Sequence, residues 1–352
     1  MSALFSPLSI RDIAIRNRLW VSPMCQYSAV DGVVNDWHHV HLAQFAAGGA
    51  GMVIAEATAV SPEGRISPQD AGIWTDAQAE AWRPIVAAIR ARGAVAGVQL
   101  GHAGRKASTS APFAGSRGTV APADGGWSTV APSALAHADF AEPVALDAAG
   151  IEKVVADFAD AARRAVHAGF QVLELHAAHG YLLHQFLSPL TNHRDDEYGG
   201  SFENRVRLLV RVTEAVRDAA PAAAVFVRFS ATDAVEGGWS VEDTVAASRL
   251  VAAAGADLID LSSGGLVPQQ HIVPGPGYQV AYADTVRRET GLLVSAVGMI
   301  DEPALAENVV ADGRADAVMS AREWLRDPHY ALRAAAQLGA DSPAPAQYLR
   351  AY

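Results

Sequence analysis

The chain contains a single cysteine, Cys25, in 352 residues. One thiol excludes an internal disulfide framework, a four-cysteine zinc site and a cysteine-ligated iron–sulfur cluster, and it points to a reducing compartment, the cytoplasm. Basic residues are also scarce: 27 Lys and Arg stand against 38 Asp and Glu, a formal charge of −11. No cluster of them forms a basic patch, which argues against nucleic acid or an anionic membrane as partner and for a small molecule. No uncharged apolar run approaches the ~20 residues that span a bilayer. The opening MSALFSPLSIRD lacks the basic and apolar regions of a leader peptide. Nucleotide signatures are missing too, since GGAGMVIAE lacks the last glycine of a dinucleotide fingerprint and no Walker lysine follows a glycine loop. This argues against a nicotinamide held on a Rossmann unit, and leaves open a cofactor bound by the fold itself.

What is present is apolar. Half of the residues are hydrophobic and 18% are charged, enough to bury a large core. Short apolar runs recur at 18–23, 51–56, 94–100, 170–176, 224–230, 257–262, 292–298 and 316–321, and Ala-rich stretches with helical spacing separate them. DFADAARRAVHAG ends in Gly169 as a C-terminal cap, and SVEDTVAASRLVAAAGA opens with Ser240 three residues before Asp243. Eight strand–helix units predict an α/β protein, a (β/α)₈ TIM barrel forming one domain over 1–352, rather than an open sheet. The spacing breaks once, at about 101–147, after the third strand. That segment carries Phe113 and Trp127 among its Ala, Pro and Gly, so it is expected to cap one end of the barrel.

Barrel enzymes collect their chemistry where the strands end. Those ends carry Ser22, Pro23, Met24, Cys25 and Tyr27; Glu56 and Ala57; Gln99; His176, His179 and Tyr181; Arg228; Ser262; Gly298; and Ala321 with Arg322. Arg228 lies inside VFVRFS, where a guanidinium needs either an acceptor-rich ligand above it or a carboxylate of the barrel. Gln99 can donate and accept through one planar amide, which suits a heterocycle edge as well as a satisfied core contact. Gly298 and Arg322 fall where barrels bind phosphate. A metal needs three or more ligands, and beside His176 and His179 the rim offers only Glu56 and Asp260, so no metal is expected. Two imidazoles giving N–H groups to one carbonyl or nitro oxygen would polarise it, and Tyr181 could then protonate the adjoining carbon. Packing is the other reading of the pair, and packing or capping is expected for His184.

SPMCQYSA, EATAVSPEGRI, QLGHAGRKAS, ELHAAHGYLLHQFLSPLTNHRDDEYGGSFENR, VRFSATD and GPGYQVAYA, taken together and in order, resemble the Old Yellow Enzyme family of FMN-dependent ene-reductases. The resemblance runs from the first strand to the last residues and is strongest to the family's bacterial, thermophilic-like branch of NADPH dehydrogenases. It implies a tightly but non-covalently bound FMN on the barrel axis. Arg228 would meet the N1/C2-carbonyl edge, Ser22, Pro23, Met24 and Cys25 would line the isoalloxazine, and Ala57 and Gln99 would contact its ring. Gly298, Ala321 and Arg322 would hold the phosphate, and Cys25 would tune the cofactor near N5.

The same resemblance implies an NAD(P)H-dependent flavin oxidoreductase. NADPH or NADH would reduce FMN, and hydride would then pass to the β-carbon of an activated alkene whose oxygen is gripped by His176 and His179. Tyr181 would be the proton donor, and Tyr27 would help seat the substrate. The tail, 340–352, would reach the neighbouring active site of a homodimer or homotetramer through Arg350, with Tyr348 or Tyr352 as aromatic contacts. Ala321 replaces the glycine common in the family, which implies a slightly different loop or weaker FMN retention. A metal-dependent barrel hydrolase and a non-catalytic flavin-binding protein are the alternatives.

Overall fold

The computed structural model describes residues 2–115 and 118–351. A short antiparallel hairpin, β1 (Leu8–Ile10) and β2 (Ile13–Ile15), comes first. The eight apolar runs then appear as β3 (Leu19–Val21), β4 (Met52–Ala59), β5 (Val95–Gly101), β8 (Val172–Ala177), β9 (Ala224–Ser230), β10 (Leu258–Ser262), β11 (Val294–Val297) and β12 (Ala317–Ser320). They pair in parallel and close into a barrel, with β12 returning to β3. The eightfold barrel expected from the sequence is the fold observed, and helices such as Asp36–Ala47, Asp76–Ala91 and Ala148–Ala168 join successive strands on the outside.

Strand side chains alternate between the helices and the axis, and the two sets differ in chemistry. Leu173, Leu175 and Ala177 of β8 join the large outer core, as do Val225, Val227 and Phe229 of β9. Facing the axis, Trp20, Met52, Ile54, Val95, Val172, Phe226, Leu258 and Met319 make a separate apolar layer, which Ile10, Ile13 and Ile15 of the hairpin extend. Trp20 stacks on Phe226 with ring centroids 6.1 Å apart. One step further along the same strands the axis turns polar, with Gln99, Glu174, Arg228, Asp260 and Ser295 all buried. The barrel therefore has an apolar floor, a polar middle layer and a mouth at the strand C-termini.

The segment after β5 crosses that mouth. Trp127 donates from Nε1 to the carbonyl of Glu63 at 2.9 Å, Arg65 lies 4.6 Å over its ring, and Phe113 meets Tyr27 edge to face at 6.1 Å. Two short strands, β6 (Val130–Ala131) and β7 (Val144–Ala145), pair within it before Asp147 caps the next helix. Among the described residues no helix is long and apolar enough to cross a membrane.

Candidate active site

A bulge shapes the first part of the rim. The β4–β5 register shifts between Ala55 and Ala57, which leaves Glu56 as the extra residue. Its carboxylate accepts from the backbone N–H of Gln26 at 2.9 Å and lies 3.3 Å from His38 Nε2. This clasp fixes the loop after β3 in which Tyr27 takes a left-handed φ of 51°. Cys25, in the same loop, has its thiol held well above the ordinary range by burial and then by the charges of Asp70 and Glu56, so it stays protonated. Sequence reasoning noted Glu56 only as an acid; the bulge that turns it toward His38 has no sequence signal.

The loop after β8 carries the imidazoles. His176 Nδ1 accepts from the N–H of Ala178 at 3.3 Å, so the neutral ring keeps its proton on Nε2. His179 has φ 57°, donates its backbone N–H to Ser230 Oγ at 2.9 Å, and brings Nε2 to within 2.7 Å of Ser262 Oγ. The His176 ring stands edge-on to His179 at 5.1 Å and to Tyr181 at 4.9 Å. Burial first, then Arg228 for His176 and His176 for His179, drives both imidazoles far below their usual titration range. Burial and the nearby Cys25 and Tyr27 push the Tyr181 phenol far up. At neutral pH the cluster is uncharged.

Close backbone contact holds this loop in place. A Cβ on Gly180 would meet the carbonyl oxygen of Gly265 at 2.3 Å, and one on Gly265 would meet His179 Cα at 2.6 Å. Lys106 ties the two loops together, donating to the carbonyls of His179 at 2.9 Å and Gly265 at 2.8 Å. Beneath them the buried His184 accepts from Gly180 N–H and meets Asp233 at 2.8 Å, the hydrogen-bonded structural role expected of it.

His179, Arg228, Ser262, Gly298, Ala321 and Arg322 line one axial cavity of about 150 Å³, closed on its apolar side by Val297 and Met319. The backbone at Ala321 has φ −113° and ψ −82°; φ is negative, so the left-handed freedom of glycine is not called on here. A smaller void alongside is bordered by Ala57, Asp70, His102 and Tyr181. Ser22 is joined to this cavity's wall by Arg228, whose Nη1 donates to Ser22 Oγ at 3.1 Å. Pro23, Met24 and Cys25 follow Ser22 and are half-buried.

Two site residues find protein partners inside the polar layer. Arg228 Nε lies 3.0 Å from Asp260 Oδ2, off the line of a hydrogen bond. Gln99 donates from Nε2 to Glu174 Oε2 at 2.6 Å. The barrel carboxylate that formed the second reading of Arg228 is therefore present, and Glu174, in the same buried run as His176, was missed. The burial argument applied to Arg228 would have found it. Among the described residues no group of three or more His, Cys, Asp or Glu is arranged to hold a metal. Arg350 stands apart from all of these. Its segment packs Tyr348 on His329 at 5.4 Å, beside Ala47, Ala91 and Arg92, where helices lead back into β4 and β5. Tyr352 lies outside the described residues.

The model of the NADH:flavin oxidoreductase / NADH oxidase family matches residues 3–341. The chain belongs to that family. Among its relatives are the NADPH dehydrogenases of Listeria monocytogenes, 45% identical over all of both chains, and of Bacillus subtilis, 42% identical over 99% of each. Morphinone reductase superposes with a TM-score of 0.80 at 28% identity, covering 97% of this chain and 91% of that one. An Old Yellow Enzyme homologue from Zymomonas mobilis gives 0.78 at 28% identity over 96% and 93%. The Old Yellow Enzyme resemblance read from the sequence thus holds, and this family member is an NAD(P)H-dependent flavin oxidoreductase with FMN as cofactor. The residues present fit that group: two guanidinium groups, Arg228 and Arg322, and apolar Val297 and Met319 border one cavity, suited to a phosphate and a flat ring.

Proposed function

We propose that this flavin oxidoreductase is an ene-reductase acting on α,β-unsaturated carbonyl and nitro compounds. The observation that carries the reading is the uncharged His176–His179–Tyr181 cluster beside the axial cavity, with His176 in register with Arg228. FMN supplies hydride transfer, from NADPH to the alkene β-carbon. The chain's own residues hold and polarise. Arg228, Gln99, Ser22 and Ala57 would border the ring, with Pro23, Met24 and Cys25 against its flank and Gly298, Ala321 and Arg322 at the phosphate.

His176 presents Nε2–H. Ser262 Oγ lies 2.7 Å from His179 Nε2 and 3.3 Å from Gln279 Oε1; with its one hydroxyl proton given to the shorter contact, His179 would carry its own proton on Nδ1, so that the two imidazoles offer one N–H each to the substrate oxygen. Neutral donors suit this task because they strengthen as the oxygen gains charge and cost no second charge in a buried site. Tyr181, its phenol kept protonated, delivers a proton from its hydroxyl to the α-carbon, while Tyr27 and Phe113 wall the mouth. Anaerobic reduction by NADPH followed by cyclohexenone tests the assignment: saturated ketone is the expected product. Flavin that reduces but is never reoxidised by enones, maleimides or nitroalkenes would leave an oxidoreductase of another kind. Tyr181→Phe should slow reoxidation by enone ~10²-fold or more with little change in reduction by NADPH. Equal slowing of both half-reactions would remove the phenol as the acid.

The assembly we infer is a homo-oligomer in which the tail enters a neighbouring site. Arg350 is exposed, and Tyr348, two residues before it, lies with Ala47, Ala91 and Arg92 at the end of the barrel where the strands begin, away from its own mouth. Arg350→Ala should raise KM for the alkene roughly tenfold without altering FMN content. An unchanged KM would leave the tail without a part in the site.

A further inference from the structure

The polar layer beneath the mouth contains two carboxyl groups and one guanidinium, all buried. Arg228 can neutralise only one acid, and the geometry shows which: its Nε is 3.0 Å from Asp260, whose other oxygen accepts from Ser295 Oγ at 2.7 Å. Glu174 has no cation of its own. Its Oε2 contacts Gln99 Nε2, while Oε1 is buried with no partner at all. An ionised carboxylate left so poorly solvated is costly, and a proton is the least costly remedy.

We propose that Glu174 is a proton-holding positioning residue that sets the orientation of the Gln99 amide toward the FMN ring and, where it is ionised, takes up a proton when that ring is reduced. The inference rests on the flavin reading of the axial cavity. As a carboxylate, Glu174 accepts from Gln99 Nε2, the arrangement in the structure, and turns the amide oxygen to the ring. As an acid it donates to Gln99 Oε1 and turns the amide N–H to the ring instead. Hydride transfer brings two electrons and one proton and leaves the cofactor one charge more negative. That change favours the N–H-facing amide, and the accompanying proton comes from solvent to Glu174.

The groups facing Glu174 are Asp260 from β10, Arg228 and Phe226 from β9, Gln99 from β5, and His176 on its own strand. Burial first and the Asp260 charge second push the Glu174 carboxyl up to about 8, against the opposing pull of Arg228 and Gln99. Added negative charge on the ring can only raise it further. Reduction therefore draws no extra proton below this value, where both redox states already hold it, and draws one above it.

The test is the FMN midpoint potential of the holoenzyme followed from about pH 6 to about pH 10. In the wild type the slope should steepen near pH 8 by one proton per two electrons. Glu174→Gln should abolish that break while the protein still binds FMN and is reduced by NADPH. The same break in the variant, or a straight line in the wild type, overturns the proposal. Infrared spectra of the wild type give a second readout that needs no variant: a protonated carboxyl band should grow on reduction at pH 9, and its absence would equally overturn it. A wild-type protein that takes up no FMN would instead reject the cofactor reading itself.

Discussion

Arg228→Ala is expected to empty the protein of FMN and to lower its unfolding free energy by ~3–5 kcal/mol. Both effects come from one side chain. The guanidinium is 5% exposed, donates to Ser22 Oγ and faces Asp260, so truncation leaves a buried carboxylate with Ser295 and the Leu261 backbone beside it, no cation, and Glu174 nearby. A lost charged hydrogen bond to the cofactor is worth ~1.5–3 kcal/mol, or roughly ten- to a hundredfold in affinity before any reorganisation of the layer. Flavin titration and urea unfolding of the apoprotein separate the two. Arg228→Lys keeps the charge but loses the fork, and should recover stability better than affinity. An apoprotein that is as stable without this side chain as with it would show that Asp260 does not depend on the ion pair.

His179→Ala and His176→Ala should each lower alkene turnover by ~10²–10³-fold, the usual cost of removing one preorganised donor to a developing oxyanion. Bound FMN should remain. His176 lies on β8 above the polar layer and His179 is tied to Ser262 and Ser230, so neither is required to keep the floor of the cavity together. Stopped-flow reoxidation by an enone reads the effect, and a phenol titration reports loss of ligand binding separately. Loss of flavin in both variants would transfer these residues to the cofactor site.

The eight strands were legible because each is buried on both faces and reads as a nearly unbroken apolar run between helical segments. The rim was legible for the same reason, since a barrel's strand ends must meet. Arg228 stood out as a charge within such a run. What did not come through is pairing across the barrel. Whether Arg228 meets Asp260, or Gln99 meets Glu174, depends on strand register and on side-chain reach between segments far apart in the chain. Neither composition nor periodicity records that. The Glu56 bulge and the left-handed φ at Tyr27 and His179 were hidden for a related reason: tertiary contacts impose them on residues with no intrinsic preference for them. The tail, read as a visitor to another subunit, lies in this chain with Tyr348 on His329, away from its own mouth.

The hairpin of Ile10, Ile13 and Ile15 gives the barrel a sealed bottom, which makes the site a well with a single entrance. Nothing can queue from below. On the proposed ene-reductase reading, the oxidised nicotinamide would have to leave before an alkene lands, and the saturated product before the next nicotinamide arrives. Double-reciprocal plots at several fixed alkene concentrations should run parallel, and a large excess of alkene should inhibit by occupying the well out of turn.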